Sequence, residues 1–308
     1  MKIYLNDLNE SWVVDRLKKN WIEFNTKLTT NNIKEADIIW IVAPWLWKNV
    51  PKKHLAGKKV ICSIYHIDFE KFDEKDEKDF IKRDKYVDQY HVISLRTKED
   101  LQKLTRKKII SLPFWVDQRI YKELNNTDIL RNSLGFSRED YLIGSFQRDT
   151  EGSDLTTPKL IKGPDIFLEI VKNAFELNPS VKIILAGKRR HYLINNLKKN
   201  KIPFFYYEMA TSEEINTLYN ILDLYIVSSR LEGGPQAIVE CAITKTPIIS
   251  TDVGVAAEIL SKSAIYKNET NYHTAVPDTK FAYENGLKLI IPDGMEPFRK
   301  MFGDLIEN

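Results

Sequence analysis

Two glutamates with different surroundings stand eight positions apart in SSRLEGGPQAIVECAIT, residues 228–244. Glu232 precedes a Gly-Gly-Pro turn, whereas Glu240 lies in an apolar run that predicts a helix. The β-rich run DLYIVSS predicts a strand just ahead of them. In a turn from strand to helix, Gly233 and Gly234 allow backbone N–H groups to approach a ligand closely. Because helix N-termini attract anions, these residues predict an anion-binding site.

The carboxylate of Glu240 needs hydrogen-bond donors if its helix is buried. Glu240 follows Gln236 by one helical turn and shares its face, and Pro235 suits the first helical position. A buried carboxylate costs several kcal/mol unless donors compensate it, and ribose hydroxyls are such donors. A neighbouring Lys or a backbone group could serve equally, and Glu232 could simply favour the positive end of the helix. The two glutamates alone leave both interpretations open.

Short β-rich runs alternate with amphipathic helical stretches along the chain, which is the pattern of parallel sheets covered on both faces. The first half contains the predicted strands KIYLN, DIIWIVA, KKVICSIY, YHVIS and KIISLP. The second half contains YLIGSFQ, VKIILAG, IPFFYY, DLYIVSS and TPIIST. The polar segment between the halves predicts a boundary. We therefore expect an α/β protein with Rossmann-like domains at 1–118 and 140–290, a linker at 119–139, and a tail at 291–308 that could form a helix packing back toward the N-terminal domain.

Composition excludes several classes of protein. With 308 residues and 43% hydrophobic content, the chain can form one large or two ordinary domains. Cys62 and Cys241 do not suggest a disulfide framework, and the net charge of +3 does not indicate nucleic-acid binding. No signal-peptide pattern is evident, and the apolar run ADIIWIVAPWLW is too short to span a bilayer. We expect a cytoplasmic protein, with attachment to a membrane surface left open.

The region around the two glutamates resembles a known family. RLEGGPQAIVECAITKTPIISTDVGVAAEIL is similar to the signature of family 4 glycosyltransferases (glycosyl transferases group 1), which place two glutamates eight positions apart in this context. The resemblance extends back through SEEINTLYNILDLYIVSS and VKIILAG to LIGSFQRD. It implies a GT-B fold, in which two Rossmann-like domains face each other across a cleft, and a retaining transferase that uses a nucleotide sugar.

The resemblance also implies roles for individual residues. Glu232 would orient the donor sugar as a catalytic residue, and Arg148 and Lys162 match the basic pair that neutralises the diphosphate. Preorganised cations of this kind stabilise an anionic leaving group as the glycosidic bond breaks. The donor site would be completed by the ribose-binding Glu240 and, around the sugar and diphosphate, by Gly233, Gly234, Pro235 and Gln236.

The stretch AGKRRHY gives a separate indication from the residues themselves. Lys188, Arg189 and Arg190 lie where a predicted strand passes into a helix, although positive charge is disfavoured at a helix N-terminus. A bound anion would offset that cost, so Lys188 and Arg189 join the candidate donor-binding residues. Exposure to solvent would explain these charges equally well.

Two departures from the family pattern stand in the second half. The segment DTEGSDLTTPKLI, residues 149–161, separates Arg148 from Lys162 and predicts a loop over the cleft. Within it, Lys159 could compete with Lys162 for the phosphate. Lys245 replaces the glycine expected before TPIIS. Because Lys in a left-handed conformation costs about 1 kcal/mol, we expect the backbone to adjust locally instead.

The first half matches the family less closely. His66 ends the strand KKVICSIY and is similar to a family histidine that faces the donor sugar and phosphate, with Asp68 a weaker match. The family's Gly-rich loop after the first strand has no counterpart, because MKIYLNDLNESWVVDRLKKNW contains no glycine. Either Asn6 and Asp7 supply that loop differently or this half has diverged. The acceptor therefore stays open among glycans, lipid-linked molecules and other hydroxyl compounds.

The stretch PWLWKNVPKKHL interleaves Trp45 and Trp47 with Lys48, Lys52 and Lys53. Aromatic and cationic residues together could contact an anionic membrane, stack on a sugar or pack between domains. Packing is favoured, because one such cluster does not define a membrane site.

These patterns predict a retaining hexosyltransferase that binds a nucleotide-sugar donor and needs no metal or other cofactor. The chain contains no Asp-x-Asp to hold a metal-bridged diphosphate. The alternative is a catalytically silent GT-B subunit that binds a nucleotide or sugar. A sugar-nucleotide epimerase fits the glutamate pattern less well, and an NAD oxidoreductase lacks the expected G-x-G-x-x-G.

Overall fold

The computed structural model describes residues 1–6 and 13–307 of the protein, so Asp7 of the proposed N-terminal loop lies outside the described residues. The chain forms two compact units. Unit 1 comprises Met1–Trp115 together with Leu289–Asn308, and unit 2 comprises Val116–Lys288. No helix in the described ranges combines the length and apolar character needed to cross a membrane.

Unit 1 is built on a five-stranded parallel sheet whose strands lie in chain order. The strands are β1 (Ile3–Leu5), β2 (Ile38–Ile41), β3 (Lys59–Ile64), β4 (Gln89–Val92) and β5 (Lys108–Ser111). The helices are α1 (Val13–Phe24), α2 (Lys52–Leu55), α3 (Glu74–Asp84) and α4 (Leu95–Gln102), joined by α12 (Glu296–Glu307) from the C-terminal segment. All five strands predicted for the first half are present.

Both faces of this sheet are covered, as the continuous apolar character of its strands requires. On one face, the side chains of β2, β3 and β4 form a hydrophobic core with α3 and α4. On the other face, Trp40 of β2 is surrounded by aromatic rings. Its ring centroid lies 5.5 Å from Trp21 of α1, and 5.8 and 5.1 Å from Phe298 and Phe302 of α12. The C-terminal segment therefore completes the core of unit 1.

A fully buried histidine lies on the same aromatic face. Trp40 Nε1 donates to Ser63 Oγ at 2.8 Å, and Ser63 Oγ lies 2.8 Å from His91 Nδ1. His91 Nε2 lies 2.8 Å from the carbonyl oxygen of Leu112. Because a carbonyl only accepts, Nε2 carries the proton and Nδ1 accepts from the Ser63 hydroxyl. Burial lowers the pKa of His91 to about 4, so a neutral ring links β2, β3 and β4.

Unit 2 is built on a six-stranded parallel sheet in the order β11-β10-β9-β6-β7-β8. The strands are β6 (Tyr141–Ser145), β7 (Val181–Ala186), β8 (Phe204–Tyr207), β9 (Leu224–Val227), β10 (Ile248–Thr251) and β11 (Ile265–Tyr266). The helices are α5 (Thr127–Ser133), α6 (Pro164–Leu177), α7 (His191–Lys199), α8 (Ser212–Ile221), α9 (Gln236–Thr244), α10 (Ala256–Ile259) and α11 (Thr279–Gly286). The five strands predicted for this half are present, and the short β11 is additional.

The winding of this sheet fixes where a ligand can bind. From β6 the chain adds β7 and β8 on one side, and it then returns to add β9, β10 and β11 on the other. The carboxyl ends of β6 and β9 are therefore neighbours at the point where the winding reverses. Ligands of open α/β sheets bind at this switch point.

Residues 119–139, which the sequence suggests as a linker, are attached to unit 2. The backbone N–H of Lys122 donates to Asn216 Oδ1 of α8 at 3.0 Å. Arg131 of α5 forms an ion pair with Asp223 at 3.0 Å, directly before β9. These contacts hold the segment against α8 and the start of β9.

Candidate functional site

The candidate site lies in unit 2, where the loops after β6 and β9 meet. Gln147 and Arg148 follow β6, and Glu232 follows β9. A single 3-10 turn, Leu160–Lys162, leads into α6 beside them. Gln147, Arg148 and Lys162 are among the residues that line one narrow pocket at this place. Within residues 1–6 and 13–307, no three His, Cys, Asp or Glu side chains are grouped to hold a metal ion.

Lys162 and Glu232 form an ion pair, with Nζ in contact with Oε1. The two side chains are 20% and 13% exposed. Ser229 Oγ lies 3.1 Å from the same Glu232 oxygen and 3.2 Å from Gln147 Oε1. Gln147 Nε2 donates to the carbonyl oxygen of Lys162 at 2.8 Å. Gln147 and Ser229 therefore hold a cation and a carboxylate side by side at the switch point.

Gly163 determines how Lys162 reaches this place. It joins the 3-10 turn to α6 with φ of +60°, and a Cβ there would lie 1.7 Å from the carbonyl oxygen of Ser228. Only glycine fits such a close approach. The carbonyl of Ile161 also accepts the backbone N–H of Arg230 at 2.9 Å. The turn that carries Lys162 is thus fastened to the loop after β9.

The Gly-Gly-Pro turn lies at the N-terminus of α9. The helix begins at Gln236, so Pro235 precedes the first helical residue, one position earlier than predicted. A Cβ on Gly254, whose φ is +53°, would lie 2.5 Å from the carbonyl oxygen of Gly233. The loops after β9 and β10 are therefore in direct backbone contact. Gly234 and Gln236 are partly exposed beside this contact.

Glu240 is buried inside α9, as its apolar neighbours predict, and is 5% exposed. The hydroxyl of Tyr219, from α8, donates to Glu240 Oε2 at 2.9 Å. The sequence suggested a Lys, a backbone group or a ribose as the donor, and the structure adds a phenol to these candidates. Burial and then the charge of Glu240 raise the pKa of Tyr219, which keeps the phenol protonated as a donor.

Arg148 lies beside a second arginine. Its Nε donates to the carbonyl oxygen of Thr150 at 2.7 Å. Burial and then the charge of Arg189 lower the pKa of Arg148. Arg189 has a positive φ of 62°, and its guanidinium donates to the carbonyl oxygen of Gly152. Lys188 is exposed next to it. Of the two predicted donor-binding cations after β7, Arg189 is thus held by the 149–161 segment and Lys188 extends into solvent.

Arg190, the third cation of this run, has a structural role. Its guanidinium is completely buried and donates to Asp149 Oδ2 at 3.0 Å and to the carbonyl oxygens of Ser145 and Ala186 at 2.6 and 3.0 Å. It therefore ties β6 to β7 at their carboxyl ends. Neither solvent exposure nor an external anion accounts for this charge, because Asp149 compensates it.

The remaining candidates belong to unit 1. His66 is exposed and follows β3 at the carboxyl edge of the sheet, as predicted. Asn6 follows β1 and is buried, and its Oδ1 accepts from the backbone N–H groups of Val42 and Ala43 at 2.8 and 3.3 Å. The side chain of Asn6 thus joins the ends of β1 and β2.

Two tryptophans after β2 differ in their surroundings. Trp47 is buried in the hydrophobic core, and its Nε1 donates to Asp79 at 2.9 Å. Lys48 pairs with the same Asp79 at 2.5 Å. Trp45 is 50% exposed, with its ring 5.7 Å from that of Tyr65. Packing therefore explains Trp47, but it leaves half of Trp45 in solvent.

Lys245 corrects one expectation. The backbone does not adjust to avoid the left-handed conformation, because Lys245 ends α9 with φ of 55° and ψ of 28°. Its Nζ pairs with Glu123 at 2.6 Å and lies 4.8 Å from the centre of the Tyr283 ring. These contacts of the side chain help to offset a backbone cost of about 1 kcal/mol.

Several residues of the site were missed in the sequence. Gln147, Ser229 and Tyr219 contact the predicted cation and carboxylates, yet their types are ordinary in loops and helices. Gly163 carried a readable signal, since a glycine directly before a proline marks a break between elements.

Comparison with known proteins adds to this geometry. Residues 158–303 match the family model described as Glycosyl transferases group 1, a range that contains Lys162, Glu232 and Glu240. A curated relative is the O-antigen biosynthesis glycosyltransferase WclY of Escherichia coli, 24% identical over 179 residues. That match covers 55% of this chain and 47% of the relative, so it spans about half of the relative's length.

Solved structures resemble almost the whole chain. HepE from Anabaena, in complex with UDP, has a TM-score of 0.76 at 13% identity and covers 99% of this chain and 100% of its own. The same protein in complex with UDP-glucose has a TM-score of 0.75 at 13% identity, with 98% and 99% coverage. TarM from S. aureus has a TM-score of 0.63 at 15% identity, with 88% and 55% coverage. Likeness at these identities concerns the fold, which is GT-B: two Rossmann-like units, each on a parallel sheet.

Proposed function

We propose that this protein is a retaining family 4 glycosyltransferase, which transfers a hexose from a nucleoside diphosphate sugar to a hydroxyl group. The observation that carries the proposal is the Lys162–Glu232 ion pair, close to Arg148 at the switch point of the unit 2 sheet. The GT-B fold and the family match across Lys162, Glu232 and Glu240 support it.

The proposed reaction requires the diphosphate to leave as an anion. Arg148 and Lys162 bind its oxygens and stabilise the charge that develops as the bond from the anomeric carbon to the phosphate oxygen breaks. An ammonium has three protons, so Lys162 can contact Glu232 and a phosphate oxygen together. These cations perform the task for which other transferases use a bound metal, and we propose that no metal is required.

The two glutamates hold the uncharged parts of the donor. Glu232 accepts a hydrogen bond from a hydroxyl of the sugar, and Glu240, oriented by Tyr219, accepts one from the ribose. The backbone at Gly233 and Gly234 faces the sugar or diphosphate. His66 is the proposed donor contact from unit 1, on the basis of the family resemblance. We propose UDP as the nucleotide, because HepE structures contain UDP and UDP-glucose.

Retention follows from attack on the face that the leaving group departs from. The acceptor oxygen bonds to the anomeric carbon, and an oxygen of the leaving diphosphate takes the acceptor proton. No side chain then serves as a covalent nucleophile. The naming of WclY as an O-antigen biosynthesis glycosyltransferase supports a glycan acceptor. A lipid-linked glycan at the cytoplasmic face of a membrane, reached by peripheral contact, is the form of acceptor that we propose to test first.

The test is release of UDP from a panel of UDP-sugars, with and without acceptor glycans. We expect Arg148→Ala, Lys162→Ala and Glu232→Gln each to lower kcat/KM by about 100-fold, because each removes a group that the transition state needs. Lys172→Ala is the matched control, since Lys172 pairs with Glu169 on the surface of α6. Undiminished activity in all three variants would reject these roles, and the anomeric configuration of the product decides retention.

One observation favours a second candidate, a silent subunit that binds nucleotide without transfer. The segment after β1 contains no glycine, and Asn6 is occupied by backbone contacts to Val42 and Ala43. Calorimetry with UDP, ADP and GDP, followed by a turnover assay with the sugar of the best-bound nucleotide, separates the two functions. Tight binding with neither transfer nor hydrolysis supports the silent subunit.

A further inference from the structure

The 149–161 segment forms an ordered hairpin. Thr150 and Pro158 form an antiparallel bridge, and the backbone N–H of Glu151 donates to the carbonyl oxygen of Thr157 at 3.0 Å. At its tip, Asp154 Oδ1 accepts the backbone N–H groups of Thr156 and Thr157 at 3.1 and 3.2 Å. The insertion therefore has a defined shape in the protein.

Both ends of the hairpin are fixed to the carboxyl edge of the unit 2 sheet. The carbonyl oxygen of Arg189, after β7, accepts the Thr150 hydroxyl at 2.9 Å. The backbone N–H of Lys159 donates to the carbonyl oxygen of Asp149 at 2.8 Å, and the backbone N–H of Lys162 donates to the carbonyl oxygen of Lys159 at 2.8 Å. Lys159 is therefore held one tight turn from Lys162 and opposite the residue that follows Arg148.

The charges at this place are unbalanced. Lys162 has Glu232 as its counter-ion, but in the part of the chain that the structure describes no carboxylate forms a salt bridge with Arg148 or Lys159. Burial, then the charges of Lys162 and Arg148, lower the pKa of Lys159. The charges of Glu151 and Glu232 offset this shift only in part, so an anion that binds beside Lys159 would further stabilise its charged form.

We propose that Lys159 is a third phosphate-binding cation of the donor site, acting together with Arg148 and Lys162 rather than in place of either. This inference rests on the proposed function, since it assigns the ligand of the hairpin as the diphosphate of the donor. The insertion thus supplies a third cation close to Arg148 and Lys162. Lys159 binds through charge and hydrogen bonds to phosphate oxygens, so it contributes nothing to recognition of the base or the ribose.

The experiment measures the dissociation constants of UDP, UMP and uridine by calorimetry for the wild type, Lys159→Gln, Lys159→Arg and Lys172→Gln. We expect Lys159→Gln to weaken UDP binding by about tenfold, because a charge-assisted contact is lost, and to leave uridine binding unchanged. Lys159→Arg keeps the charge and remains close to the wild type. Lys172→Gln is the control for loss of a surface lysine.

The outcomes separate this inference from the proposed function. If the wild type binds UDP and Lys159→Gln binds it equally well, Lys159 has no phosphate role and only this inference fails. Equal weakening of UDP and uridine, with a lowered melting temperature, would show that Lys159 merely supports the hairpin, and would also overturn it. If the wild type does not bind UDP, and calorimetry shows no binding of ADP or GDP either, the proposed function fails and this inference fails with it.

Discussion

The ammonium of Lys162 and the carboxylate of Glu232 neutralise each other at the switch point of the unit 2 sheet. Lys162 stands at the end of a turn that Gly163 closes. Glu232 stands in the loop after β9, where the hydroxyl of Ser229 lies 3.1 Å from its carboxylate. Two residues that are distant in the chain thus form one neutral ion pair. Removing either partner leaves the other without compensation.

A double-mutant cycle measures that coupling. We expect Lys162→Met alone to lower the free energy of unfolding by about 1–3 kcal/mol, because the partly buried Glu232 carboxylate loses its cation. Adding Glu232→Gln should restore part of the loss, since the orphaned charge is removed as well. Urea unfolding of the two single variants and the double variant gives the result. A double variant whose loss equals the sum of the single losses contradicts the coupling.

Gly163→Ala tests the close approach of α6 to β9. A Cβ would lie 1.7 Å from the Ser228 carbonyl oxygen at a φ of +60°, so the turn carrying Lys162 must move. We expect a loss of more than about 3 kcal/mol in unfolding free energy, together with loss of UDP binding. Gly303→Ala in α12 is the control, because a Cβ there has no atom within 4 Å. That change should stabilise the helix by about 0.5–1 kcal/mol.

The buried His91 predicts acid destabilisation. The pKa of His91 is about 4 in the folded protein, whereas an ordinary histidine has a pKa of 6.5. The unfolded chain therefore takes up a proton first as the pH falls. The contribution of the neutral ring is therefore complete above pH 6.5 and is lost as the pH falls toward 4, by about 3 kcal/mol in all.

Chemical denaturation between pH 7.5 and 4 measures this change in the free energy of unfolding. A change of about 1.4 kcal/mol corresponds to a tenfold change in the unfolding equilibrium constant. His91→Gln should be less stable near neutrality, because the Ser63 and Leu112 hydrogen bonds are altered, but its stability should fall less steeply with acid. His273→Gln, on the surface of unit 2, should follow the wild-type curve. Parallel curves for wild type and His91→Gln would count against this assignment.

Tyr219→Phe tests the support of Glu240. The variant removes the phenol that donates to Oε2, and it leaves a buried carboxylate one donor short. We expect a loss of about 1–3 kcal/mol in unfolding free energy. Compared with Tyr219→Phe, Glu240→Gln should lower stability less, because a buried neutral amide needs fewer hydrogen-bond donors than a carboxylate. It should weaken uridine binding more, because the amide is a poorer acceptor for the ribose hydroxyls. Calorimetry with uridine, together with thermal unfolding, distinguishes the two effects, and identical behaviour of both variants would contradict them.

The C-terminal helix should be essential to unit 1. Phe298 is fully buried, 5.6 Å from the ring of Phe114 and 5.0 Å from that of Trp115. We expect Phe298→Ala to destabilise unit 1 by about 3–5 kcal/mol through the lost contacts and the cavity. Ile306→Ala on the same helix is the control, since Ile306 is 42% exposed. Hydrogen exchange that locates the added opening in unit 2 would refute the assignment.

Much of the fold was readable from the sequence, because buried parallel strands are continuous apolar runs bounded by turns. All ten predicted strands are present, and the glutamates lie on the predicted sides of the start of α9. What could not be read are pairings across the chain, such as Tyr219 with Glu240 and Gln147 with Ser229. No local pattern records which helix will lie beside which.

Three further residues show the same limit. Arg190 and Lys188 stand in one run of cations, yet Arg190 is completely buried and Lys188 is exposed. The difference depends on Asp149, which the fold brings from another loop. Lys245 likewise adopts a left-handed conformation that local energetics disfavour, because Glu123 and Tyr283 happen to receive its side chain.

The division of unit 1 between Met1–Trp115 and Leu289–Asn308 sets an order on synthesis. A ribosome must translate all of Val116–Lys288 before it makes the two phenylalanines that cover Trp40. Unit 2 is contiguous in the chain and can therefore finish folding first. Until the C-terminal segment is made, one aromatic face of the unit 1 sheet stays uncovered. A chain that stops before Phe298 would therefore lack part of the core of the unit whose strands were made first.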